Sequence, residues 1–221
     1  FPTRRSSDLP AADPRNVVQL SASGAVEVQQ DELILTLGAS ADGRDASSVQ
    51  AQLRQVVDAA LTVARSQVAA PQMEVRTGQF SLYPRHGKNG EITGWQGRAE
   101  LVLHGRDFAR ITATAARIQG MPIAQVGFGL SRSESERAER EAQSQAIEAF
   151  KVRAATLTQA FGFAGYTLRE VSVSSQGQMP VPRPRMMAME AKMASMADSP
   201  LPVEAGKSTV EVTVSGSVQM R

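Results

Sequence analysis

Residues 17–30, VVQLSASGAVEVQQ, mix apolar and polar positions and end in strict alternation, Val26 and Val28 set against Glu27 and Gln29. A period of two places alternate side chains on opposite faces of a β-strand. Asp31 and Glu32 interrupt that pattern, and LILTLGASA resumes it with Leu33, Leu35 and Leu37 sharing one face. Asp42-Gly43 marks a turn, and Asp45 is placed to cap the next element. The spacing then changes. Val49, Leu53, Val56, Val57, Ala60, Leu61 and Ala64 form one stripe of an amphipathic helix, which Pro71 must terminate.

Two further strands are predicted over 73–82 and 92–104, around a turn-rich tip, YPRHGKNGE. In the second, Ala99, Leu101 and Leu103 face one way, and Arg98, Glu100 and His104 the other. A short helix follows from Asp107 to about Gln119, with Phe108, Ile111 and Ala115 inward and Gly120 and Pro122 as stops. IAQVGFGLS is a short strand broken by glycine. The longest element is a helix over 133–161, opened by a capping box at Ser133 and Glu136. Its inner face is expected to hold Ala138, Ala142, Ala146, Ala149, Phe150, Leu157 and Phe161. Gly162 and Gly165 end it, residues 166–174 return as a strand, and Val210, Val212, Val214, Val218 and Met220 alternate through the last strand. Strands in this order, mostly alternating, predict an α+β fold with a mainly antiparallel sheet, one long helix and two shorter ones.

At 221 residues the chain is long enough for a sizeable core. Residues 1–16 are expected to be a disordered linker; FPTRRSSDLP, which begins with Phe and has no apolar signal-peptide core, reads as a cloning scar or a truncated gene end. Residues 17–221 are expected to form a single domain. A flexible Pro/Met-rich insertion is expected at about 176–205, bounded by Pro180, Pro182 and Pro184 on one side and Pro200 and Pro202 on the other.

Composition removes several classes of chemistry. The chain has no cysteine, which excludes disulfides, thiolate metal sites and thiol nucleophiles. A formal charge of +2 is too small to point to a polyanion, and aromatic residues are 5%, with no basic track joining Trp95 and Phe80. No nucleic-acid partner is expected. Trp95 is read as core or as a subunit contact. No run approaches the roughly 18 apolar residues of a membrane helix. Arg183 and Arg185 are too few to anchor the chain on acidic lipid.

Candidate reactive residues are sparse. His86 in the hairpin tip and His104 at a strand end are the only histidines, and both are expected to face solvent. Neither belongs to an HxH or HExxH pattern, whereas a zinc site needs three or four ligands. Ser131, Ser133 and Ser135 stand at a helix start, where capping accounts for them, and no GxSxG elbow is present. Gly127 and Gly129 flank Phe128 without the remaining glycines of a phosphate loop. No catalytic, cofactor-binding or metal-binding residue is assigned, and no cofactor is expected. Met186, Met189, Met193 and Met196 are spaced by three, four and three, one stripe if helical. Thioethers suit Cu(I) and form reversible sulfoxides, so a soft-metal or oxidant buffer is the alternative to adaptable apolar cover.

Taken in order, SASGAVEVQQDELILTLGASA, GWQGRAELVLHGRDFARI, EAQSQAIEAFKVRAATLTQAFGF, YTLREVSVS and VEAGKSTVEVTVSGSVQM resemble the SIMPL-domain family over residues 17–220. The wider separation of Pro202 from Gly206 departs from the family pattern. The resemblance implies a non-enzymatic protein of the bacterial envelope, periplasmic or peripherally attached to the outer membrane, with no integral membrane segment. It also implies a homo-oligomer or an envelope partner, and a link to oxidative-stress tolerance. It carries over no catalytic residue.

Overall fold

The computed structural model describes residues 15–180 and 203–221. The period-two stretches become β1 (Val17–Gln29), β2 (Glu32–Gly43), β3 (Glu74–His86), β4 (Ile92–Gly105), β5 (Ile123–Gly129), β6 (Tyr166–Pro180) and β7 (Lys207–Met220). The period-3.6 stretches become α1 (Ala46–Arg65), α2 (Phe108–Arg117) and α3 (Arg132–Ala160). The strands form two antiparallel sheets, of order β1-β7-β6 and β3-β4-β2-β5. The fold is α+β. β1 and β2 are neighbours in sequence, yet they join different sheets.

The chain divides into two compact units. Among the described residues, one is drawn from 15–27, Glu136–Met179 and Thr209–Arg221, the other from Val28–Ser135, 180 and 203–208. In the second unit, Leu35 and Leu37 of β2 stand opposite Leu103 and Leu101 of β4. These four leucines are fully buried with Leu33, beneath Ala60 and Ala64 of α1 and Ile111 and Ala115 of α2. Each such side chain contributes about 1.5–3 kcal/mol on burial. Trp95, partly buried, packs against a neighbouring cluster of Val49, Leu53 and Ala99. It serves as core.

α1 starts where its cap dictates. Asp45 has extended backbone, and its side chain accepts from the Ser48 N–H at 2.8 Å and from the Ser47 hydroxyl at 2.6 Å. The Ser47 hydroxyl and then the Ser48 amide hold its carboxyl down to about 2, from an ordinary 3.8. The hairpin of β3 and β4 is longer than expected. Tyr83, Pro84, Arg85 and His86 continue β3, paired with Gln96, Trp95, Gly94 and Ile92. The turn itself is residues 87–91, closed by Gly87 N–H to Glu91 O at 2.8 Å.

In the first unit, α3 covers the sheet β1-β7-β6. Ala146, Phe150 and Ala154 pack on Leu20 of β1 and Val214 and Val218 of β7. The buried positions are Ala138, Ala142, Ala146, Phe150, Ala154 and Thr158, every fourth residue. They form a ridge of the i±4 kind, which runs obliquely to the helix axis. The expected face departed from this strict four-residue spacing and included Ala149 and Phe161. Both are exposed, Phe161 by 62%. Small residues on the ridge let the helix backbone come close to the sheet. At Gly24 the approach leaves no room: a Cβ there would overlap the Ala142 carbonyl and the Ala146 amide.

Both ends of α3 differ instructively from expectation. The Ser131 hydroxyl is 3.4 Å from the Glu134 N–H, and the Ser131 carbonyl accepts from Ser135 at 2.9 Å. The cap is therefore Ser131, two residues before the expected Ser133, and the S-x-x-E pair is Ser131 and Glu134. At the far end, Gly162 takes φ of 79°. Its N–H bonds Gln159 O, and the Phe163 N–H bonds Thr158 O, both at 3.0 Å. This is a Schellman close, which needs the left-handed conformation glycine adopts freely. β6 then extends to Pro180, so residues 176–180, expected within the Pro/Met-rich insertion, are strand.

Two measurements bear on this packing and capping. Gly24→Val is expected to lower unfolding stability by about 1–3 kcal/mol through overpacking, while Ala149→Gln stays within about 0.5 kcal/mol; urea denaturation of both measures it. Because the Asp45 carboxyl is depressed in the folded chain, its contribution is complete above 3.8 and is lost as pH falls toward about 2. Asp45→Asn is expected to flatten the pH dependence of the urea midpoint across that window. An Asp45 carboxyl titrating by NMR at its ordinary value contradicts the cap.

Candidate functional site

The densest set of polar side chains gathers where β2 and β3 begin and β4 ends. Glu74 lies directly opposite His104 in the ladder of β3 and β4. Glu32 reaches the same imidazole from the first residue of β2. His104 Nδ1 is 3.3 Å from Glu32 Oε1, and Nε2 is 3.7 Å from Glu74 Oε2. The first is a hydrogen-bond distance; the second is an ion-pair contact. The side chain is only 26% exposed, so His104 is not the solvent-facing histidine expected. Carboxylates from two other strands enclose it.

Beside it, Asp31 links three segments. Its Oδ1 accepts from the Ser131 N–H, and its Oδ2 accepts from the Ser131 hydroxyl at 2.7 Å and from Arg106 Nε at 3.0 Å. Gln30, next in the turn, donates to Ser208 Oγ at 3.0 Å and accepts from the Gly206 N–H at 3.1 Å. These bonds join the β1–β2 turn, the end of β4, the cap of α3 and the start of β7. Chemically, the cluster is closed on itself. The Ser131 proton is directed at Asp31, and both His104 nitrogens face carboxylates. A serine nucleophile needs a neutral base within hydrogen-bond reach of its hydroxyl. Here that hydroxyl faces an acceptor which Arg106 also holds.

The same geometry bears on metals. Glu32 and Glu74 meet opposite nitrogens of one ring, so the three groups do not converge on a common point. Among the described residues no three His, Asp or Glu side chains are arranged to hold an ion. His86 lies at the hairpin tip, Nδ1 3.1 Å from Gly90 O. Gly127 and Gly129 belong to β5, with Gly127 opposite Ile34 and Gly129 opposite Glu32. Met186, Met189, Met193 and Met196, with Arg183 and Arg185, lie outside the described residues, as do residues 1–14.

Two grooves remain. One, of about 400 Å³, lies on the three-stranded sheet and is lined by Gln19, Ser21, Glu170, Ser172, Ser215 and Ser217, among others. The other, of about 260 Å³, is formed by Gln50, Arg54, Val57 and Asp58 of α1 with Phe80 of β3. Neither brings together an acid, a base and a nucleophile. Apolar exposure is more distinctive. Phe80 and Tyr83 on β3, and Leu168, Val171 and Val173 on β6, are all large and exposed. β3 and β6 are edge strands.

Both features escape a reading of the sequence alone. Glu32, Glu74 and His104 are remote in sequence, and only strand register brings them together. The edge positions depend on which strand pairs with which. One local signal was available: Leu168, Val171 and Val173 do not keep a strict two-residue alternation, as a strand with one solvated face would.

No helix among the described residues is long and apolar enough to cross a membrane. No curated protein matches the sequence. The architecture of an α+β chain with one long alanine-ridged helix is accompanied by a family match over residues 18–218, and the chain belongs to the SIMPL family, described as a protein of unknown function (DUF541).

Proposed function

We propose that the protein acts by binding and not by catalysis, as a component of the bacterial cell envelope that assembles with its own copies or with an envelope partner. The observation that carries this reading is the placing of large exposed apolar side chains on the edge strands β3 and β6. Exposed apolar surface beside unpaired strand edges is the usual substrate of protein association. The closed cluster around Asp31 and His104 supports the non-enzymatic part, because its polar groups already satisfy one another. The periplasmic or outer-membrane-associated setting, and a role in oxidative-stress tolerance, rest on the resemblance to envelope members of the family.

The spacing of Met186, Met189, Met193 and Met196 supports a second, narrower reading as a Cu(I) or oxidant buffer. It requires that those thioethers act together.

Light scattering on the purified chain across a range of concentrations tests the first reading. A mass above that of one chain, rising with concentration or constant as a closed oligomer, is expected. A strict monomer at the highest concentration, with no partner retained, opposes it. For the second reading, Cu(I) is titrated into the protein and into a variant with all four methionines replaced by leucine. Weaker binding by the variant is expected, and equal affinity ends the idea.

A further inference from the structure

The face of the four-stranded sheet turned away from α1 and α2 carries a further cleft, of about 290 Å³. It is lined by Gln79, Ser81 and Tyr83 of β3 and by Gln96, Arg98 and Glu100 of β4. A break in the ladder puts these side chains together. Up to Thr77, odd-numbered residues of β3 share a face with the buried leucines: Val75 stands opposite Leu103, and Thr77 opposite Leu101. Gly78 and Gln79 then stand against the single residue Glu100, and pairing resumes with Phe80 opposite Ala99. Such a bulge moves the alternation by one residue. Phe80 now lies beside Val57 of α1, and Leu82 packs against Val49 and Leu53. Gln79, Ser81 and Tyr83 therefore turn outward, Ser81 opposite Arg98 and Tyr83 opposite Gln96. The bulge requires its glycine: a Cβ on Gly78 would stand 2.8 Å from Glu100 Cβ.

The polar groups at this cleft are unspent. Among the described residues, the side chains of Gln79, Ser81, Tyr83, Gln96 and Arg98 make no hydrogen bond or ion pair within the protein. Glu100 uses one oxygen, which accepts from the Gln79 N–H at 3.3 Å. The other end of the same sheet is the opposite case, since Asp31 holds Ser131 and Arg106 there, and His104 faces Glu32 and Glu74. The charges of Arg98 and Glu100 cancel across the cleft, and Asp42 and Arg85 pair beside it at 3.7 Å. A polyanion is held by an excess of cations, which this face lacks. What the cleft offers instead is planar polar groups. Amide, carboxylate and guanidinium each carry a fork of donors or acceptors that can engage two neighbouring hydroxyls. Tyr83, 57% exposed, adds an aromatic face that suits C–H groups.

We infer that this cleft is a saccharide site, which takes a short stretch of a neutral sugar chain along β3 and β4. The inference goes beyond the assembly role and does not depend on it. A sugar ring carries hydroxyls on its rim and C–H groups on its faces, and the cleft matches both. Gln79, Gln96, Arg98 and the free oxygen of Glu100 take hydroxyls, while the Tyr83 ring lies against a C–H face. An apolar ligand would leave those polar tips without partners, at a cost for each. An anionic one would meet Glu100 as well as Arg98. The volume is close to the lower end of small-ligand clefts, ~300–1,000 Å³, and the cleft lies on an open sheet face, so a longer chain can continue beyond it. Sheet faces serve this purpose elsewhere, as in the oligosaccharide-binding OB-folds.

Amide NMR of the full chain tests this, with maltohexaose, cellohexaose and chitotetraose titrated in turn to millimolar concentration. At least one is expected to shift the amides of residues 79–83 and 96–100 along a saturating curve. Tyr83→Ala and Arg98→Ala, both at exposed positions, are each expected to weaken that binding about ten-fold with an unchanged circular dichroism spectrum. Ser21→Ala, on the other sheet, is expected to leave it unaltered. No saturable shift with any of these sugars overturns the inference, as do shifts confined to other residues or affinities that neither variant changes. Heparin is the charged control. Saturation of the same amides by heparin and not by the neutral sugars makes this an anion site and overturns the saccharide assignment.

Discussion

The approach of α3 to Gly24 sets the terms on which the three-stranded sheet is built. An alternating strand has one apolar face, and that face is stable only when something covers it. A helix of ordinary side chains would stand off from the sheet by the length of those side chains. Here Ala138, Ala142, Ala146 and Ala154 shorten that distance, and Gly24 removes the last Cβ in the way. The larger groups, Phe150 on the helix and Leu20, Val214 and Val218 on the strands, fill the space around this contact. Close packing of this sort tolerates little change in volume.

The four-stranded sheet meets the same requirement differently. Leucines on β2 and β4 face one another in register beneath α1 and α2, and helix caps at Asp45 and Asp107 place those helices. Its polar residues are drawn together at one end. Asp31, Arg106 and Ser131 tie three segments, while His104 sits between two carboxylates. A cluster that satisfies itself stabilises the ends of its strands. Among the described residues, large apolar side chains stay exposed on the edge strands β3 and β6. Exposed apolar side chains beside a strand edge are the surface that the proposed binding role would use.

Much of the fold was legible in one dimension. The valines at 210, 212, 214 and 218 alternate over a buried face, and the stripe from Val49 to Ala64 became α1 behind its Asp45 cap. The long helix was legible in extent but not in orientation. Alanine is compatible with either face of a helix, so composition could not separate buried Ala146 from exposed Ala149. The cap shifted for a related reason: Ser131, Ser133 and Ser135 are equivalent in sequence, and Asp31, a hundred residues away, selects the first.

The sequence by itself determined the periodicities, and through them the class of fold and the identity of most core residues. Local rules suffice there, because a strand or an amphipathic helix displays its buried face in its own spacing. Tertiary structure alone decided that β1 pairs with the last strand and not with β2, that His104 meets Glu32 and Glu74, and that β6 lies at an edge. Each of these depends on contacts between residues remote in the chain. Such contacts form where buried surfaces fit, and no short window of sequence records that fit.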